Sequence, residues 1–228
     1  MAVRQSEYLQ ARYAVDDGTQ ILQRSVYNAI IGGVVLWGVA IDVMMASYLK
    51  NAVLTLPYWA VLIAYLVGSL GGRFIVFRSR RPVVSFLGFT LLSAAMGLVV
   101  TFFVARYDVG TVSTAFIITG LVTVLMIVLS TAFPNFFLGI GKILAIALIA
   151  TLVIDLVAMF LFRVNMTWVD AVIALIFAGY LGYDWARAQA FPATVDNAVD
   201  SAADIYIDII NLFIRLLNIL GHSSSSKD

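Results

Sequence analysis

Long apolar runs separated by short polar breaks fill the chain from residue 28 to residue 221. Each run is close to the ~20 residues that a helix needs to cross a bilayer. The seven runs are 28–49, 54–77, 83–105, 110–133, 138–162, 168–189 and 203–221. The breaks carry charged residues, proline or asparagine, which are typical of turns. Since the run lengths exclude membrane strands, the pattern predicts an all-α, polytopic bundle of seven transmembrane helices.

Polar residues dominate both ends of the chain. Residues 1–27 mix both charge signs, and we expect them to form a polar N-terminal arm. No short apolar run follows a basic start, as it would in a secretory signal. We expect residues 28–221 to form the transmembrane domain and residues 222–228, which include the run Ser223–Ser226, to be a disordered polar tail.

The composition agrees with a membrane protein and narrows the available chemistry. Of 228 residues, 62% are hydrophobic and 12% charged, whereas soluble domains are about 45–50% apolar and about 25% charged. The chain has no cysteine, and its one histidine, His222, lies in the polar tail. This excludes disulfides, thiolate or histidine zinc sites and Ser–His catalysis within the membrane. A net charge of +1 gives no reason to expect nucleic acid.

Lysine and arginine in the loops predict the orientation of the chain, because they are enriched on the cytoplasmic side of a membrane. With the N-terminus inside, the inner side receives Arg4, Arg12, Arg24, Arg73, Arg78, Arg80, Arg81, Lys142 and Arg187. The outer side receives Lys50, Arg106, Arg163 and Lys227. The excess favours a cytoplasmic N-terminus. The short loops favour a multi-pass protein of a bacterial cell membrane.

Two aspartates in the last two runs are the leading candidates for function. Asp184 lies five residues before the end of run 168–189, and Asp208 lies five residues after the start of run 203–221. Both therefore lie roughly 7–8 Å inside the inner helix ends. A carboxylate at the centre of a membrane helix costs on the order of 2.5–3.5 kcal/mol, so two at one depth call for a function. For each alone, a solvated position near a helix end is the alternative.

Facing carboxylates at this position would share one proton, because both cannot ionise cheaply in a low dielectric. Deprotonated, Asp184 and Asp208 would bind a hard cation such as Ca²⁺ through oxygen. Tyr183 and Asn211 would add oxygen ligands, and Asp204 would cap the helix or attract cations at the inner mouth. An arginine at the end of the second run would instead latch one aspartate. The candidates at this level are Arg78, Arg80 and Arg81.

Other intramembrane polar residues are expected to have structural roles. Arg215 in the seventh run needs a counter-ion, and Asp155 in the fifth run is the expected partner, as a structural ion pair or a second gate. Asp170 and Asp200, like Asp204, are expected to be helix caps. Glycines such as Gly68 and the pair Gly71–Gly72 are expected to let helices pack closely.

Three stretches resemble the Bax inhibitor (TMBIM) family of membrane proteins. They are Tyr183-Asp184, the run Ile205-Tyr206-Ile207-Asp208-Ile209-Ile210-Asn211-Leu212-Phe213, and the less specific run from Phe86 to Leu98. The resemblance covers roughly residues 20–221. It implies a seven-helix bundle with the last helix at the centre.

The same resemblance implies a pH-sensitive calcium leak governed by the Asp184–Asp208 pair, with Arg78 as the preferred latch and Arg80 and Arg81 as alternatives. The expected ligands are calcium ions and protons, with the lipid bilayer as surroundings, no resident cofactor and no enzymatic activity. One departure concerns the end of the last run. Where the family usually has a basic residue after a Leu-Leu pair, this chain has Asn218, with Arg215 a turn earlier.

Two other functions use the same carboxylates. A pair that shares a proton is aspartic-protease chemistry, which makes an intramembrane aspartyl protease possible. Against it, Asp208 lacks a Gly-x-Gly-Asp context and no Pro-Ala-Leu run follows it. A proton-coupled cation exchanger is the other alternative.

Overall fold

The computed structural model describes residues 20–157 and 167–225, which form eight α-helices without a strand. They are α1 (Arg24–Tyr48), α2 (Lys50–Leu54), α3 (Tyr58–Arg78), α4 (Pro82–Val104), α5 (Val109–Ala132), α6 (Pro134–Val157), α7 (Thr167–Ala190) and α8 (Val195–Ser225). The all-helical fold predicted from the sequence is confirmed. Most of the expected N-terminal arm lies outside the described residues, and α8 continues into the expected disordered tail as far as Ser225.

Six of the helices are long and apolar enough to cross a membrane. These are α1, α3, α4, α5, α6 and α7, and they match the first six predicted runs. The helix that contains the seventh run, α8, is not among these six of the described helices. Exposed apolar stripes on the six helices provide a surface for lipid. On α5, for example, Ile117, Leu121, Val124 and Val128 are all exposed along one face.

Local signals set the helix ends that the sequence predicts. Pro82 is the first residue of α4, where its missing N–H would have no partner in any case. Asp108 caps α5 by accepting a hydrogen bond from the Thr111 amide at 2.9 Å. Hydrogen bonds from the Thr111 side chain and amide lower the pKa of this exposed carboxyl group. Asp108 is therefore ionised at neutral pH and serves below as a control.

The chain divides into two compact units, and each is described separately. In its described part, the first unit holds residues 20–106 and Arg187–Ile207. Helices α3 and α4 pack closely there. A Cβ on Gly72 would lie 2.7 Å from the Gly88 carbonyl oxygen, and one on Gly68 would lie 2.7 Å from the Ala95 Cβ. The expectation of close packing is confirmed at these two glycines and is wrong for Gly71, which has nothing within 4 Å.

The second unit holds Tyr107–Ala186 and the chain from Asp208 onward. Helix α7 packs against α5, since the Ser130 hydroxyl donates a hydrogen bond to the Gly182 carbonyl and Trp185 Nε1 donates to Thr131 at 2.9 Å. On α6, Gly141 leaves room for the ring of Tyr183. These contacts fix the rotation of α7 and with it the direction of Asp184.

The last helix is enclosed by protein. No side chain of α8 from residue 196 to residue 221 is exposed. Its residues up to Ile207 belong to the first unit, and those from Asp208 belong to the second. The central position that the family resemblance implies for this helix stays a prediction, and what the structure shows is its burial. This burial means that every polar side chain on α8 needs partners from neighbouring helices.

Candidate functional site

Asp184 on α7 and Asp208 on α8 are both buried in the second unit. Their exposed fractions are 8% and 5%. Both interact electrostatically with the hydroxyl group of Tyr180, which lies one turn before Asp184. The fold therefore brings the two predicted carboxylates to the same tyrosine, away from bulk water.

Asp184 and Asp208 come close together for a different reason from the one that the sequence predicted. α8 begins at Val195 rather than near Ala203, so Asp208 lies thirteen residues into its helix instead of five. The estimate of depth from the helix ends is therefore wrong for Asp208. Instead, α8 packs beside α7 in the second unit and brings Asp208 near Asp184. This follows from the interaction of both aspartates with the same residue, Tyr180.

Two residues beside the pair were expected to add oxygen ligands. The ring of Tyr183 lies against Gly141 on α6 and 6.4 Å from the ring of Tyr180, edge to face. Asn211 is half-buried on α8, one turn after Asp208. Their part in binding a cation stays a prediction.

The Asp184–Asp208 pair supplies two carboxylate groups. Among the described residues, no group of three or more histidine, cysteine, aspartate or glutamate side chains could hold a metal ion. A resident Ca²⁺ usually has 6–8 oxygen ligands, including several carboxylates. Two carboxylates with carbonyl groups, amides and water would suit an ion that passes through.

Asp204 lies inside α8, so its predicted capping role is wrong, as it is for Asp200. Its carboxylate instead accepts hydrogen bonds from two guanidinium groups in the first unit. Arg73 Nη2 on α3 lies 3.3 Å from Oδ1, and Arg187 on α7 pairs with Oδ2. Asp204 is buried, while the Arg73 side chain is half-exposed. Asp204 is thus the point where α3, α7 and α8 are joined by charge.

The arginines predicted as latches lie farther along the chain. Arg78 is the last residue of α3 and is exposed, and Arg80 and Arg81 are exposed in the loop before α4. Arg73, which lies five residues before Arg78, instead contacts Asp204 on α8. Arg73 was expected near the inner side, but its contact with Asp204 depends on the tilt and rotation of α3, which a linear pattern does not contain.

Arg215 has a partner that the sequence did not predict, and the predicted pair with Asp155 stays a prediction. Arg215 Nη1 donates a hydrogen bond to Asp170 Oδ1 at 2.7 Å, within the second unit. The side chain of Asp155 lies outside the described side chains. Asp170 was expected to be an N-cap, but it lies within the first turn of α7. The missed signal is that α7 and α8 are consecutive antiparallel helices, which usually pack as neighbours.

Asn218, the departure from the family pattern, lies close to the same ion pair. Its side-chain oxygen accepts a hydrogen bond from the Tyr107 hydroxyl at 3.0 Å, and its amide nitrogen lies 3.5 Å from Asp170 Oδ1. This chain therefore has a hydrogen-bond network where the family usually has a basic residue.

Asp42 on α1 is a further buried acid. It is 3% exposed, and the Tyr206 hydroxyl lies 2.8 and 3.0 Å from its two oxygens. Tyr206 lies in the run that carries the family resemblance, but nothing in its spacing pointed to Asp42. The hydroxyl group donates a hydrogen bond to this carboxyl group but supplies no compensating positive charge.

Comparison with known proteins places the chain in a family. The family model described as Inhibitor of apoptosis-promoting Bax1 (Bax1-I) matches residues 19–225. An uncharacterized protein of Helicobacter pylori J99 is 30% identical over 172 residues, which are 72% of this chain and 71% of that protein.

Other relatives are described as membrane proteins. An uncharacterized membrane protein of Streptococcus pyogenes serotype M6 is 32% identical over 59% of this chain and 62% of its own length. The inner membrane protein YbhL of Escherichia coli K12 is 26% identical over 59% of this chain and 62% of its own length. With residues 19–225 matched and six helices able to span a bilayer, the chain belongs to the Bax inhibitor family of membrane proteins.

Proposed function

We propose that this protein is a pH-sensitive calcium leak channel and not an enzyme. The observation that carries the proposal is the burial of Asp184 and Asp208 beside one tyrosine, Tyr180, in the second unit. Acids placed inside a membrane bundle are costly and are by default functional. Family membership and the resemblance of the residues around both aspartates support the same activity.

The gating step follows from the electrostatics of two buried carboxyl groups. With one shared proton, Asp184 and Asp208 hold each other through a strong hydrogen bond. Loss of that proton leaves two negative charges that repel each other unless a cation comes between them. Ca²⁺ prefers oxygen ligands and supplies that charge. Protonation and calcium passage would therefore compete at the same pair, and calcium is the transported ion rather than a cofactor.

We assign the latch to Arg73 in place of Arg78. Arg73 is the arginine of α3 with a carboxylate partner on α8, at 3.3 Å from Asp204. Asp208 lies one turn beyond Asp204 on the same helix face. A half-exposed guanidinium at this position needs only a change of side-chain rotamer to leave Asp204, so the contact can be made and broken without unfolding a helix.

The orientation belongs to the same proposal. The excess of lysine and arginine in the N-terminal arm and near the connections that follow the second, fourth and sixth runs supports a cytoplasmic N-terminus in a cell membrane. The helix ends that carry Arg78, Arg80 and Arg81 would then face the cytoplasm, together with the α7–α8 connection. Asp204, together with its partners Arg73 and Arg187, would form the cytoplasmic mouth of the pathway.

Calcium flux into liposomes tests the proposal directly. Purified protein in liposomes loaded with a calcium-sensitive dye should admit Ca²⁺ at a rate that depends on pH. The Asp208→Asn and Asp184→Asn variants should each change the rate several-fold and flatten its pH dependence, because neither leaves a pair that shares a proton.

The matched control is Asp108→Asn, which changes an exposed aspartate and preserves the helix cap, since asparagine caps as well as aspartate. Its flux should equal that of the wild type. An unchanged flux and pH profile in Asp208→Asn would show that the pair is not the gate. Flux that requires an opposing proton gradient would replace the leak with a proton-coupled exchanger.

A further inference from the structure

Three aspartates follow one another at four-residue spacing on α8 within the first unit. We call Asp196, Asp200 and Asp204 the acidic row; residues four apart lie on the same face of a helix. The two outer members have partners. The Ser85 hydroxyl donates a hydrogen bond to Asp196 Oδ1 at 2.7 Å, and Asp204 pairs with Arg73 and Arg187.

The middle member, Asp200, differs from both neighbours. It is 6% exposed, and its Oδ1 atom has no hydrogen-bond partner among the described residues. An ionised carboxylate buried without a donor loses its hydration and gains nothing in return. Under these conditions a carboxyl group usually binds a proton instead.

Burial and the neighbouring acids also favour the protonated form of Asp200. Burial is the largest cause that raises its pKa, to about 8, followed by repulsion from Asp196 and from Asp204. Arg187 on α7 offsets only part of this increase. From α1, the neutral hydroxyl of Tyr27 also lies within electrostatic reach of Asp200.

The remaining charged groups that face this region are already engaged. Arg73 on α3 pairs with Asp204. Arg24 at the start of α1 lies over the Tyr27 ring at 5.1 Å and donates hydrogen bonds to the Phe191 carbonyl oxygen. Among the described groups, Arg187 is the cation that acts on Asp200 electrostatically.

We propose that Asp200 is a proton-binding site separate from the Asp184–Asp208 pair, and that its ionisation competes with Asp204 for Arg187. With Asp200 protonated, Arg187 pairs with Asp204. When the proton leaves, Asp200 presents a buried negative charge with an open oxygen one turn from Asp204. Arg187 is then shared between the two carboxylates, which weakens the junction of α7 and α8 at Asp204.

This assignment concerns residues of the first unit and requires neither calcium nor flux. It would hold if the liposome experiment failed, and it would fail without affecting the Asp184–Asp208 gate. The site responds between neutral and mildly alkaline pH, where an ordinary aspartate, with a pKa of about 3.9, is insensitive.

Infrared spectroscopy of the full-length protein in lipid nanodiscs tests the site, because a protonated carboxyl group has its own C=O stretching band. Titration of the wild type should remove a protonated-carboxyl band with a midpoint near pH 8. The Asp200→Asn variant should lack this component, and the control Asp108→Asn should retain it. A component that persists in Asp200→Asn and disappears in Asp42→Asn would assign the proton to the membrane acid and overturn the proposal.

Two further variants test the competition for Arg187. Arg187→Gln removes the attractive charge, so the midpoint should rise. Asp204→Asn removes a repelling charge and releases Arg187, so the midpoint should fall by about 1 pH unit or more. Midpoints that do not move in these directions would contradict the role of Arg187. Arg187→Lys keeps the charge and serves as the conservative variant if Arg187→Gln does not fold.

Thermal unfolding gives a second readout with a defined sign. Because the pKa of Asp200 is raised in the folded state, the folded protein binds more protons than the unfolded chain from about pH 4 to about pH 8. The Asp200 contribution to stability therefore decreases as pH rises through this window. The Tm of Asp200→Asn should exceed that of the wild type by a difference that grows up to about pH 8 and then levels off. A constant difference would contradict the proposal.

Discussion

At the scale of single residues, the identity of the partner decides what a buried charge does. Asp204 is stabilised by two guanidinium groups, whereas Asp42 is satisfied by one hydroxyl. Asp200 has one oxygen, Oδ1, without a hydrogen-bond partner in the described part of the chain. These aspartates are chemically identical in the sequence, and their different roles come from side chains that other helices bring to them.

The Arg215–Asp170 pair allows a quantitative prediction at this scale. The side chains of Arg215 and Asp170 are only 22% and 12% exposed, and Arg215 Nη1 lies 2.7 Å from Asp170 Oδ1. Removing one partner of a buried ion pair typically costs about 3–5 kcal/mol, while replacing both with apolar residues of similar size is often neutral. We expect Arg215→Met alone to destabilise the protein by about 3 kcal/mol, as measured by thermal or denaturant unfolding in detergent.

A double variant is the control for the destabilisation expected of Arg215→Met. The double variant Arg215→Met/Asp170→Leu should regain most of the lost stability, since no unpaired charge remains. If the double variant is as unstable as Arg215→Met alone, packing rather than charge pairing is the main contribution of Arg215.

At the scale of helices, small residues determine how closely two elements approach. Gly72 on α3 lies against the backbone of α4, where an added Cβ would meet the Gly88 carbonyl oxygen and the Leu92 nitrogen, each at 2.7 Å. Backbone atoms cannot yield as flexible side chains do. The α3–α4 contact positions Arg73, which lies next to Gly72 in the chain.

We predict that Gly72→Ala separates α3 from α4 and destabilises the protein by about 1–3 kcal/mol, the usual cost of overpacking. The adjacent Gly71→Ala is the matched control, because nothing lies within 4 Å of its Cβ position and alanine favours the helix. Thermal unfolding of both variants provides the comparison. Equal stability of the two would show that α3 and α4 tolerate a larger separation.

The Gly72→Ala substitution should also affect calcium flux, because Arg73, the proposed latch, lies next to Gly72. If α3 moves away from α4, Arg73 shifts with it relative to Asp204. Calcium flux through Gly72→Ala should therefore lose part of its pH dependence, whereas Gly71→Ala should behave as the wild type.

At the scale of the whole molecule, the orientation in the membrane is the main open prediction. The absence of cysteine allows single cysteines to be introduced one at a time. In intact cells, a reagent that cannot cross the membrane should label Arg106→Cys between α4 and α5 and should not label Arg80→Cys between α3 and α4. After the cells are opened, both should be labelled. The reverse pattern would place the N-terminus outside.

The start of the last helix is a feature that the local sequence did not predict. The apolar residues of the seventh run begin near residue 203, but α8 begins at Val195. The additional turns contain Asp196 and Asp200, which look like loop residues when hydropathy alone is considered. Both are helical; Asp200 is buried, and Asp196 is half-buried and accepts a hydrogen bond from Ser85. Burial of a polar helix turn depends on contacts distant in the chain, and a local window cannot detect them.

The linear pattern was sufficient for the helical class, for the first six spans and for the two candidate aspartates. Apolar runs of bilayer length must form helices, because lipid offers no partner to the backbone, and this requirement is local. Only the tertiary structure decided which arginine of α3 contacts α8, that Asp170 pairs with Arg215, and that Asp200 Oδ1 has no hydrogen-bond partner among the described residues. These outcomes depend on the rotation, tilt and axial shift of whole helices, and a rotation of one residue, about 100°, turns a side chain to a different neighbour.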